Sequence, residues 1–154
     1  MAQIQLERLE GSPFAADPGL LLARANADSI AATNAALASF GLRVRSYAVL
    51  AAAASATRPT QRELAEFLRL DPSQVVALVD ELERRGLVRR EVDPADRRAN
   101  AIVATADGAA LSARANAAIA EARERRLAAL APEELAALTE LLARIVNRER
   151  SNSQ

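Results

Sequence analysis

The stretch TQRELAEFLRLDPSQVVALVDELERRGLVRR, Thr60 to Arg90, decides the fold. It opens on Thr60 with Glu63 three residues on, the spacing of a capping box in which each side chain satisfies the other residue's free backbone N–H. The helix that follows is expected to turn Leu64, Ala65, Phe67 and Leu68 inward. After a break at Arg69 and Leu70, Asp71-Pro72 gives a second start signal: a carboxylate N-cap, then a proline whose missing N–H would be unpaired in the first turn anyway. This next helix is predicted to run to Arg85 and stop at Gly86. Two short helices joined by a tight turn form a helix-turn-helix.

In the second of these helices Val75, Leu78, Val79 and Leu82 repeat three and four apart, a stripe for the core. Ser73, Gln74, Ala77, Glu81 and Arg84 fall on the opposite side. Ser73 and Gln74 lie near the helix start, where a recognition helix meets base edges, and small Ala77 permits close approach or contact with a thymine methyl. Alone, that face suits an ordinary solvated helix equally well. The residues downstream shift the balance. LVRREV (87–92) and NAIVA (100–104) read as extended segments around the tip DPADRR, which sets Arg97 and Arg98 beside Asp93 and Asp96. Such arginines suit the narrow, electronegative minor groove next to a major groove filled by a helix. The competing reading is a charged tip that keeps an exposed edge from aggregating. Together the parts make a winged helix: a mainly α chain with a small β-hairpin wing.

Upstream, residues 1–19 contain GSPFAADPG and read as an arm, either disordered or crossing onto a partner subunit. Asp17-Pro18 opens a long helix that runs to Phe40, with Gly41 as its stop and Leu37 and Leu42 placed to touch in a Schellman cap. At roughly 35 Å this helix is longer than so small a domain needs, so it is expected to lean on another subunit. A following helix carries Tyr47, Leu50, Ala51 and Ala54 on one stripe. After the hairpin, a helix from Thr105 to about Leu130 places Leu111, Ala115, Ala118, Ile119 and Ala122 together. Pro132 with Glu133 and Glu134 opens the last helix, in which Leu135, Leu138, Leu142 and Ile145 alternate like a coiled-coil seam.

The chain has 154 residues, 51% of them apolar, enough to bury one core. Every one of its 20 cations is Arg, and 20 Asp and Glu cancel them, so a nucleic acid must be met by a local patch. With no Cys and no His there is no disulfide, no thiol sensor, no zinc site of the usual kind and no Ser-His or Cys-His nucleophile. A Gly-rich phosphate loop is also missing, so neither an enzyme nor a bound cofactor or metal is expected. The start MAQIQLERLE lacks the plan of a signal peptide, and AVLAAAA (48–54) is too short to span a bilayer, so a cytoplasmic protein with no membrane partner is expected.

From about Leu20 to Val146 the sequence resembles the MarR family of transcriptional regulators. The motifs that carry the resemblance are the Thr60–Arg90 stretch, the wing DPADRRA and the helix-opening TADG. The resemblance implies a repressor that binds double-stranded DNA as an obligate homodimer. It implies one domain over 20–154, with dimerisation helices at 20–41 and 106–147 around a winged helix at 42–105. In the family's Asp-x-Arg wing motif an aspartate orients an arginine in the minor groove, which matches Asp96 and Arg98, while Ser73, Gln74 and Ala77 fall where the recognition helix meets the major groove. A pocket between the two parts is also implied, where Arg43 and Tyr47 are candidates to hold a small aromatic or lipophilic effector. The family usually has Leu where Ala104 stands, a departure that bears on wing packing, and the absence of Cys excludes its peroxide-sensing branch. Arg84, Arg85, Arg89 and Arg90 either reach phosphates or pair with Glu81, Glu83 and Glu91, and two of the four are expected at the DNA. Arg123, Arg125 and Arg126 read as a solvated face or intersubunit ion pairs. The alternative from another class is a winged-helix dimer that binds a small molecule or a protein and no DNA.

Overall fold

The structure, a computed structural model, describes residues 12–92 and 99–151, the side chains of 148–151 excepted. Two compact units divide between Ile119 and Ala120. In the first, helix α1 (Pro18–Leu37) is followed by α2 (Val44–Ala53), α3 (Gln61–Leu68) and α4 (Pro72–Arg84). Strands β1 (Val88–Val92) and β2 (Asn100–Ala104) come next, and then α5 (Ala106–Leu127), whose last residues belong to the second unit with α6 (Pro132–Ser151). The residues Asp93 to Arg98, and with them Asp96, Arg97 and Arg98, lie outside the described residues.

Both ends of α1 and α4 and the start of α3 follow from a local backbone need. Asp17 accepts from Leu20 N at 2.9 Å and Asp71 from Ser73 N at 2.8 Å, each followed by Pro at the first helical position. Thr60 N donates to Glu63 Oε2 at 2.7 Å and Glu63 N to Thr60 Oγ1 at 3.2 Å, the reciprocal bonds of the capping box. A short 3₁₀ turn, Ala38–Phe40, tightens the end of α1. Gly41 then takes φ 62°, so that Gly41 N reaches Ala38 O at 3.1 Å and Leu42 N reaches Leu37 O at 3.3 Å. That is the Schellman cap, and it recurs after α4, where Gly86 at φ 69° directs its own N to Glu83 O and Leu87 N to Leu82 O, both at 2.9 Å.

The strands pair antiparallel, Val88 opposite Ala104 and Val92 opposite Asn100. Pro59 O accepts from Ile102 N at 2.8 Å and Thr60 bridges Ala101, so the segment before α3 lies along the outer side of β2. Leu37, Val49, Leu50, Leu64, Val75, Val79, Leu82, Val88 and Ile102 are buried together, which draws every element from the end of α1 to β2 around one core. Ala115 closes that core from α5, with Leu111 and Ile119 half-buried beside it.

Two expected faces differ. In α2 the buried side is Ser46, Val49, Leu50 and Ala53, while Tyr47 and Ala51 are half-buried and Ala54 is exposed. The run is so uniformly apolar that its period carries little contrast. Ser46 turns inward because its hydroxyl is satisfied locally, donating to Arg43 O at 3.0 Å and accepting from Arg43 N at 2.9 Å. In α3, Phe67 is 70% exposed. Leu64, Ala65 and Leu68 set the inward direction of this short helix, and Phe67 lies about 100° round from it.

The remaining expectations concern the two ends. Residues 13–16 form a 3₁₀ turn and α1 begins at Pro18, so the described part of the predicted arm is ordered into the helix start. Leu37 is the buried residue of α1, whereas Leu21, Leu22 and Ile30 are exposed. In the second unit Ala131 N donates to Glu134 Oε2 at 2.8 Å at the start of α6, and the seam Leu135, Leu138, Leu142 and Ile145 is open to solvent, Ile145 at 57%. No helix among the described residues is long and apolar enough to cross a membrane.

The start of α5 is fixed by Thr105, whose hydroxyl donates to Gly86 O at 2.7 Å and accepts from Gly108 N at 3.0 Å, while Thr105 N donates to Leu87 O at 3.0 Å. A Cβ added to Gly108 would lie 1.9 Å from Leu87 O. Ala is the better helix former by about 1 kcal/mol. Even so, Gly108→Ala is expected to lower stability by about 1–3 kcal/mol, because α5 must move off the backbone it packs against. A urea unfolding curve at neutral pH measures this, and a midpoint equal to or above that of the parent would refute it.

Candidate nucleic-acid interface

Helix α4 is locked by its inner stripe, Val75, Val79 and Leu82 fully buried and Leu78 half-buried. Ser73, Gln74, Ala77 and Arg84 are therefore exposed, and Glu81 is half-buried on the flank. Ser73 donates its hydroxyl to Asp71 Oδ1 at 2.5 Å. This bond, with the one from Ser73 N, holds the Asp71 carboxyl below the usual carboxylate range. The proton of Ser73 is thus committed to the helix cap, which leaves its oxygen as an acceptor. The Gln74 side chain makes no hydrogen bond among the described residues, so both its donor and its acceptor face solvent. Val76, which the sequence reading passed over because it lies off the apolar stripe, is 41% exposed on the same half of the helix.

The arginines around α4 separate by partner. Arg85 donates from its two terminal nitrogens to Gly41 O at 2.8 Å and Phe40 O at 3.1 Å, gripping the carbonyls at the end of α1, and lies 3.7 Å from Glu81. Arg90 donates to Glu83 and, at 2.5 Å, to Asp80, so its guanidinium is held charged even more firmly than usual. Arg89 donates to Glu91 Oε1 and Arg58 to Glu91 Oε2, each at 2.5 Å. Of the four candidates Arg84 has no ion pair among the described residues, and Arg85, Arg89 and Arg90 are engaged within the fold. Among Arg123, Arg125 and Arg126, Arg125 stands 3.8 Å from Glu121 on an exposed helix face.

A groove of about 950 Å³ runs beside α4. Its walls are the second half of α1 at Ile30, Asn34, Ala35 and Ala38, the segment Gly41–Ser46, and Leu78 and Glu81 of α4. Asn34 Oδ1 accepts from Val44 N at 3.0 Å and so ties the start of α2 to α1. Arg43 lines the groove together with Arg45, whereas Tyr47 stands apart from it, donating its hydroxyl to Asn116 Oδ1 of α5 at 3.1 Å. Burial raises the Tyr47 pKa. Leu78, Glu81 and Arg85 continue the side of α4 that begins at Gln74, so the groove and the hydrogen-bonding face share one helix. The described residues hold no group of three or more potential metal ligands.

The family model described as MarR family matches residues 40–99. Curated protein sequences give no match. Among solved structures, CouR from Rhodococcus jostii RHA1 bound to p-coumaroyl-CoA is 41% identical, with a TM-score of 0.80, over 88% of this chain and 95% of that one. A transcriptional regulator of the MarR family from Rhodococcus sp. RHA1 is 40% identical, with a TM-score of 0.81, over 88% and 97% of the two chains. The repressor CouR bound to a 23-mer DNA duplex is 29% identical, with a TM-score of 0.80, over 89% and 96%.

Glu91 joins β1 to the segment before α3, and its bonds from Arg58 first and Arg89 second hold its carboxyl below the usual range. A carboxylate depressed in this way adds stability that is full above its unfolded pKa of about 4.3 and is lost as the pH falls through that value and below. Glu91→Gln should therefore be less stable than the parent at pH 7, and the gap should narrow between about pH 5 and pH 3. Urea midpoints of both proteins at three pH values test this; a gap independent of pH would contradict it.

Proposed function

The chain belongs to the MarR family of transcriptional regulators, and on that premise we propose that it is a sequence-specific DNA-binding repressor that works as a homodimer in the cytoplasm and leaves its operator when a small effector binds. It acts by binding and not by catalysis. The observation that carries this reading is α4 itself, clamped into the core along one side while Ser73, Gln74 and Ala77 face outward over its first two turns, with a hairpin directly after it. Two copies of α4 enter successive major grooves, and the wing tips, with Arg97 and with Arg98 steered by Asp96, enter the flanking minor grooves. Two-fold symmetry sets the half-sites about 10 bp apart. Arg84 supplies a phosphate contact at the end of α4. A second copy covers the apolar side chains that α1 and α6 leave exposed, among them Leu21 and Leu22 in the first unit and Leu141, Ile145 and Val146 in the second.

The groove beside α4 supports an effector of the class seen in the 41% identical relative, an aromatic acyl thioester of coenzyme A. Ile30, Ala35, Leu42 and Leu78 offer apolar surface to an aromatic group, and Arg43 and Arg45 offer guanidinium groups to phosphates. Its volume falls in the usual range for small-molecule sites. Tyr47 holds α2 against α5 through Asn116 and stands apart from the groove.

The experiment is a titration at fixed salt of the purified protein against the DNA upstream of its own gene, with scrambled DNA beside it and selection from a random duplex library as the second source of sites. Specific binding tighter by about a thousandfold supports the reading, and equal weak binding to every duplex defeats it. Arg98→Ala is expected to cost about 1–3 kcal/mol of operator affinity with the dimer intact, whereas Gln74→Ala should relax preference at one base position and leave binding to scrambled DNA nearly unchanged. Adding p-coumaroyl-CoA to the complex should release the DNA; a complex that persists at saturating thioester would remove that effector class.

A further inference from the structure

We infer that Val76 is a specificity residue of α4 that reads the C5-methyl group of a thymine in the major groove. The inference rests on the DNA-binding reading above and deepens it. Val is a poorer helix former than Ala, Leu, Glu or Arg, because its branched side chain loses rotamer freedom against the preceding turn. Such a residue in a helix is ordinarily repaid by burial, yet Val76 is 41% exposed while its neighbours Val75 and Val79 are fully buried. Neither helix propensity nor core packing accounts for it.

Its surroundings indicate what it meets. Asp80 and Glu83 follow Val76 at four and seven residues, so the three share one flank of α4. Both carboxylates are taken by the guanidinium of Arg90 from β1. The polar groups of this flank are thereby satisfied within the protein, and the group nearest the helix start is a branched hydrocarbon. On the other flank Gln74 is free to hydrogen-bond, and between them Ala77 is small enough for close approach. The thymine methyl is the apolar group that base pairs display in the major groove, and contact with it removes water from hydrocarbon on both sides. One helix face thus carries two ways of reading, hydrogen bonding at Gln74 and methyl contact at Val76.

The test uses the duplex that the intact protein enriches from a random library, with each thymine replaced in turn by deoxyuridine, which lacks only the methyl group. At one position in each half-site the replacement should weaken binding about fourfold, the value of one buried methyl. In Val76→Ala, a change that favours the helix, the same replacement should have no effect, whereas Val76→Ile should keep the penalty. If every deoxyuridine duplex binds the parent protein like the original, or if the penalty persists undiminished in Val76→Ala, the inference is overturned while DNA binding stands. Enrichment of no duplex at all would overturn both.

Discussion

The structure depends most on one backbone junction, Gly86–Leu87. Gly86 accepts the left-handed turn that ends α4, and Leu87 N closes that turn on Leu82 O. The two carbonyls that follow are then shared out: Gly86 O receives the Thr105 hydroxyl and Leu87 O receives Thr105 N. Gly108 has no side chain, so α5 can lie against the same carbonyl. Four elements, α4, β1, β2 and α5, therefore meet on two peptide units, and any shift of one is felt by the others. A recognition helix needs this rigidity, because a base edge is read by hydrogen bonds whose geometry tolerates only small displacement.

Around this junction the charges are arranged for orientation more than for attraction. Residues 58–98 contain nine Arg and nine Asp or Glu, so the segment brings no excess of positive charge to a polyanion. Three of the arginines beside α4 are spent on the fold itself: Arg85 on the end of α1, Arg90 on the outer acids of α4, Arg89 on Glu91. What is left pointing outward on α4 is Arg84 at its end and an uncharged half-turn at its start. Long-range steering is weak for such a surface, and discrimination falls to short-range contacts.

Five helix ends were legible in the sequence because each is written in one or two residues with a local backbone cause: Asp17-Pro18, Gly41, the Thr60 and Glu63 pair, Asp71-Pro72 and Gly86. The strands were legible as the extended segments LVRREV and NAIVA on either side of a turn-rich tip: NAIVA matches β2, and LVRREV begins one residue before β1, because Leu87 N is used to close the cap after α4. The face of α2 was not, because a run of Ala and Val offers several rotations of nearly equal burial, and the position of Ser46 decides among them only once its bonds to Arg43 are seen. Pairing with Glu81 and Glu83 was among the expected alternatives for Arg85 and Arg90, whereas the Gly41 carbonyl and Asp80 were hidden as their further partners. Those partners lie 44 and 10 residues away, and no local pattern distinguishes a guanidinium that will grip a carbonyl from one that stays in water. Ser73 and Gln74 were placed correctly on the outer face, but the commitment of the Ser73 proton to Asp71 is a matter of side-chain geometry.

The groove beside α4 has a chemical property that comes from its cations. Arg43 and Arg45 are guanidinium groups, and the chain has no lysine anywhere. An ammonium side chain in such a place gives up its proton when desolvated and becomes an amine, the nucleophile that activated acyl groups modify. A guanidinium keeps no free lone pair for acyl transfer. An acyl donor of the class proposed above would therefore meet no amine on these two side chains, and its stay would leave no record on them once it had gone.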